Sequence, residues 1–131
     1  MDQAGNLYGG TDDGGNGCGT VYELSPSGGS WTFQVLHTFQ CPGQGIFGEP
    51  TLDAAGNLYG VRQSGGAHDE GQLFEMMPNN GSWTYVDLHD FTSQEGYFSY
   101  GAVVFDANGN IYGTSEAGGL YGHGTVWEFT P

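Results

Sequence analysis

An all-β fold of four-stranded antiparallel blades, the β-propeller type, is what this sequence predicts, and three observations predict it. A unit of about fifty residues recurs, turn chemistry closes every apolar run, and no segment shows a helical apolar stripe or a capped run of helical length. The repeat is plainest in Asp2-Gln-Ala-Gly-Asn-Leu-Tyr-Gly9, which returns as Asp53-Ala-Ala-Gly-Asn-Leu-Tyr-Gly60 and Asp106-Ala-Asn-Gly-Asn-Ile-Tyr-Gly113. The spacings are 53 − 2 = 51 and 106 − 53 = 53 residues.

Each landmark of the unit reads as a strand bounded by a turn. In the second unit, the complete one, the strands fall at Thr51-Leu52, Asn57 to Val61, Gln72 to Met77 and Trp83 to Phe91. They are separated by an Ala-Gly-Asn turn, a Gly-Gly loop and the turn Pro78-Asn-Asn-Gly81. Four short strands per unit make a propeller blade. The same landmarks divide the chain into a partial blade (1–39), a full blade (40–91) and a partial blade (92–131). Ten strands cannot close a ring, so exposed edges at Leu7 to Thr11 and Thr125 to Phe129 predict completion by oligomerisation, most simply a homodimer; the alternative is a fragment of a longer repeat protein.

The motifs Gly-Asn-Leu-Tyr-Gly, Gly-Gly, Gly19-Thr-Val-Tyr-Glu-Leu24 and Leu36-His-Thr-Phe39, with their counterparts in the other units, resemble the tandem-repeat proteins called GloVer repeats. The resemblance covers nearly the whole chain. It implies a propeller-like fold and no particular activity.

Composition narrows the partners. Of 131 residues, 15 are acidic and one is basic, and the net charge of −14 repels phosphate at every approach, which excludes nucleic acid and anionic membranes as partners. The longest apolar stretch, near Ala102 to Phe105, is far short of the roughly 20 residues that span a bilayer. Met1-Asp2-Gln3 begins no secretory signal, so the chain is expected to be soluble, secreted or cytoplasmic. Cys18 and Cys41 either form one disulfide or remain free thiols.

Repeated polar residues are assigned to the scaffold: the Asp-x-x-Gly-Asn turns, His37 and His89 at equivalent strand positions, and the Trp31 and Trp83 pair. Residues that differ between units are the better site candidates. Before the repeated glycine stand Cys18, Glu70 and His123, the second unit adds His68 and Asp69, and Arg62 stands where the neighbours have Thr11 and Ser115. With no lysine, Gly-x-Ser-x-Gly, Cys-x-x-Cys or His-Glu-x-x-His, several catalytic classes drop out.

Hard-cation chemistry is the expectation that remains. Carboxylates at Asp12, Asp13, Asp69, Glu70 and Glu116 would hold Ca²⁺, His68 or His123 would activate water, and Arg62, Tyr97, Tyr100 and Tyr121 would bind a lactone such as an N-acyl-homoserine lactone. Lactonases on six-bladed propellers supply the analogy, which is one of architecture. The competing expectations are a non-enzymatic module that binds glycans or proteins, and a structural segment of a longer repeat protein.

Overall fold

The computed structural model describes residues 1–131 as ten strands and no helix. Sheet I contains β1 (Leu7–Thr11), β2 (Thr20–Ser27) and β3 (Ser30–Thr38). Sheet II contains β4 (Thr51–Leu52), β5 (Leu58–Arg62), β6 (Gln72–Asn79) and β7 (Ser82–Asp90). Sheet III contains β8 (Val104–Phe105), β9 (Ile111–Ser115) and β10 (Thr125–Phe129). Within each sheet, strands pair antiparallel in chain order, and no sheet closes into a barrel.

β5 and β7 are each shifted by one residue from the sequence reading, and the end of β6 differs by two. Pro78 and Asn79 belong to strand β6, where Pro78 lies opposite Trp83 and Asn79 opposite Ser82. The turn is only Asn80-Gly81, both at positive φ (49° and 85°), the two-residue geometry that matches strand twist in a hairpin. Gly28-Gly29 makes the same turn in sheet I.

The repeated Asp-x-x-Gly-Asn is a self-contained turn. Asp53 Oδ1 accepts from the backbone N–H groups of Ala55 (2.8 Å) and Asn57 (2.9 Å), and Oδ2 accepts from the Asn57 side chain (2.9 Å). Asp2 and Asp106 make the same three bonds. The intervening glycine sits at φ 88° in all three copies, a left-handed conformation that a side chain would strain. A second repeated glycine has a packing reason. A Cβ at Gly9, Gly60 or Gly113 would overlap the ring that lies across from it, respectively Tyr22, Phe74 or Trp127.

Two apolar clusters join the sheets. Val21, Phe39 and Ile46 pack against Leu58, Phe74 and Met76, with Tyr8, Leu36, Trp83 and Tyr85 around them, where sheet I meets sheet II. Val61, Leu73 and Phe91 pack against Val103 and Ile111, with Tyr59, Trp127 and Phe129 at the margin, where sheet II meets sheet III. Alternation along the strands assigns opposite faces of sheet II to the two clusters. Leu58, Phe74 and Met76 point one way, and Val61 and Leu73 the other.

Candidate functional site

Because strands alternate in direction, the segments 12–19, 39–50, 63–71, 91–103 and 116–124 emerge at one end of the three sheets, and this loop end carries the site candidates. Cys18 and Cys41 are joined there by a disulfide, Cα to Cα 5.5 Å. Backbone bonds stitch neighbouring loops together, from Gln63 N–H to Gly45 O (2.9 Å) and from Glu116 N–H to Phe98 O (3.1 Å). Tyr97 forms an antiparallel bridge with Ala117.

Arg62 corrects the sequence reading. Expected to bind substrate, it is only 5% exposed, and its guanidinium is already committed. It donates to Gln72 Oε1 (2.8 Å), Gln40 O (3.2 Å) and Gln44 O (3.4 Å), and it lies 4.6 Å over the Phe39 ring. Gln72 in turn donates to Asp90 (2.9 Å), so the one positive side chain pins the 39–50 loop to sheet II. The register explains its place. Arg62 and Gln72 face each other across β5 and β6, where the other sheets pair Thr11 with Thr20 and Ser115 with Thr125. A cross-strand polar pair is the repeated feature, and the second unit uses a long one to reach the next loop.

The carboxylates and imidazoles proposed for calcium and water activation are spread over three loops: Asp12 and Asp13 beside sheet I, His68, Asp69 and Glu70 beside sheet II, Glu116 and His123 beside sheet III. No three His, Cys, Asp or Glu side chains lie close enough to share an ion. Asp69, at φ 61°, accepts the Gly65 N–H (3.0 Å) and so shapes its own loop. His123 bridges Gly118 through the backbone, and His68, Glu116 and Tyr121 are exposed. Burial, with Asp13 beside it, holds the Asp12 carboxyl above the ordinary range, and its Oδ1 is enclosed without a partner.

What the structure does bring together is aromatic. Tyr100, from the 91–103 loop, meets Phe47, from the 39–50 loop, edge to face at 5.3 Å, and both rings are roughly half exposed. Each stands four residues before the short first strand of its sheet, β8 and β4. Beneath them the buried Gln63 donates to the Tyr100 hydroxyl (2.8 Å), while its own Oε1 has no partner. Sequence reasoning named Tyr100 but missed Phe47 and Gln63. Glutamine and phenylalanine in a loop send no signal until a third element sets them beside one another.

Protonation of the scaffold sets an acid limit. Burial first, then the Arg62 charge, hold the His37 imidazole below its usual 6.5 against the opposing pull of Asp87. The ring is stacked on Tyr85 at 4.0 Å. The unfolded chain therefore takes this proton more readily, and stability falls as pH drops below about 6.5. Asp2 and Asp106 extend the loss. Burial raises each, but the hydrogen bonds they accept outweigh it and hold both below 3.8, so the stability they contribute above that value is lost as pH falls beneath it. Asp12, with its raised carboxyl, acts in the opposite sense and above 3.8, where its protonation as pH falls relieves a cost of folding. The urea midpoint is expected to drop between pH 7 and about pH 5, and His37→Gln should flatten that step while leaving the loss near about pH 3 in place.

Comparison with known proteins places these features in a family. Over 92 residues, 67% of this chain, the sequence is 30% identical to a protein named xyloglucanase from Paenibacillus sp.. The matched segment is 8% of that protein's length. No solved structure matches the chain. A family model described as the Gloeobacter/Verrucomicrobia repeat matches residues 1–131, in keeping with the motifs and the three equivalent turns. The chain belongs to the Gloeobacter/Verrucomicrobia repeat family.

Proposed function

We propose that the three sheets are blades of a β-propeller and that the chain is a glycan-binding module of that scaffold. The observation that carries the binding role is the Phe47–Tyr100 pair. Partly exposed aromatic rings of this kind, one of them carrying a hydroxyl, suit the apolar ring faces and hydroxyls of a sugar polymer. From beneath, the buried Gln63 amide donates to the Tyr100 hydroxyl and so fixes that ring for a ligand lying across it. The likeness to a protein named xyloglucanase supports a β-glucan as the ligand class. The acidic surface fits a neutral polymer better than an anionic one. Antiparallel sheets stacked face to face through equivalent clusters support the propeller arrangement.

Titration calorimetry with xyloglucan oligosaccharides tests the reading. Phe47→Ala and Tyr100→Ala are each expected to weaken binding about tenfold, the scale of a central aromatic contact, with the fold unchanged by circular dichroism. No heat of binding to any neutral glycan would refute it. The same protein separates the hydrolytic alternative. Calcium-stimulated opening of an acyl lactone, lost in His68→Ala and His123→Ala, would return the site to the acidic loops.

A further inference from the structure

Sheets I and III each leave one apolar face bare, and the repeat shows what such faces do elsewhere in the molecule. On sheet I the bare face carries Leu7, Trp31 and Phe33, with Tyr22 against Phe33 at 5.4 Å. One unit later, Leu58, Phe74, Trp83 and Tyr85 occupy the same positions and pack against sheet I. On sheet III the bare face carries Val104, Tyr112 and Val126. Val126 is 79% exposed, whereas its counterparts Val21 and Leu73 are 0% exposed, each covered by the following sheet.

The two bare faces thus present matching parts of an interface the chain already makes twice, although three-stranded sheet III offers no counterpart of Phe39 or Phe91. The geometry points to a second copy of this chain as the occupant, with sheet I of one copy seated head to tail on sheet III of the other. The existing contacts set the register. Tyr8 meets Trp83 edge to face at 5.8 Å, so Tyr112 of one copy meets Trp31 of the other. Val126 enters the space beneath Tyr22 and Leu24 as Val21 enters that beneath Phe74 and Met76.

The carboxylate on the same face has a precedent as well. Glu128 occupies the position of Glu75, which accepts the Tyr59 hydroxyl (2.7 Å) where sheets II and III meet. Such a contact is heterologous, so two copies can close on each other through two identical interfaces and place six sheets in one ring. The inference rests on the repeated interfaces and is independent of the glycan reading.

Sedimentation velocity at about 50 µM in about 0.5 M salt, which screens the −14 charge on each copy, is the test. The expected mass is twice 13.9 kDa. Phe33→Asp and Val126→Asp change exposed side chains, so each variant should keep its fold and sediment as a monomer. Mixed in equal amounts they should pair, because one supplies an intact sheet III face and the other an intact sheet I face. A monomeric wild type would overturn the proposal, as would variants that stay dimeric alone or a mixture that does not pair.

Discussion

Phe74→Ala is expected to cost about 4 kcal/mol of folding stability, which for a domain of this size is a large share of the whole. Phe74 is fully buried where sheets I and II meet, and its ring centre lies 5.5 Å from both Phe39 and Tyr85. Truncation removes the ring and leaves a cavity that cannot collapse. Gly60, directly across, has no side chain with which to fill it. Urea unfolding followed by tryptophan fluorescence measures the loss. Tyr22→Ala, at the same repeat position on the bare face of sheet I, should cost far less in the monomer. Equal losses in the two variants would mean that the clusters between sheets do not carry the stability assigned to them.

Reduction of the Cys18–Cys41 disulfide is expected to cost about 3 kcal/mol. The bridge closes a loop across a sequence separation of 23, and opening it returns that freedom to the unfolded chain. It also ties the 12–19 loop to the 39–50 loop, which holds Phe47. The reduced protein should therefore show a lower urea midpoint, and Cys18→Ala with Cys41→Ala should reproduce it without reductant. An unchanged midpoint in the double variant would show that backbone bonds alone hold the loops.

The strands were legible because their punctuation repeats: an Asp-x-x-Gly-Asn turn, a glycine opposite a ring and a two-residue hairpin each follow from local backbone chemistry. Pro78 misled as a turn residue because its missing N–H says nothing of where the following Asn-Gly places the bend. The site was less legible. Arg62 stood out as a departure from Thr11 and Ser115, yet its role depends on Gln40, Gln44 and Phe39, which only folding brings beneath it. The acidic residues were conspicuous by charge, but charge does not report separation, and loops of three different sheets hold them apart. Phe47 and Tyr100, 53 residues apart, meet because each introduces the first strand of adjoining sheets.

Arg62 has a practical consequence. With no lysine and a single arginine, these 131 residues offer trypsin one peptide bond, between Arg62 and Gln63. Both side chains are buried, and the bond lies at the end of β5, where Gln63 N–H is bonded across to the neighbouring loop. A protease needs an extended, accessible segment, so it must wait for the strand to leave the sheet. Nicking at this one position consequently reports every opening, local or global, that frees the end of β5, and the two fragments, 1–62 and 63–131, each take away part of the middle sheet.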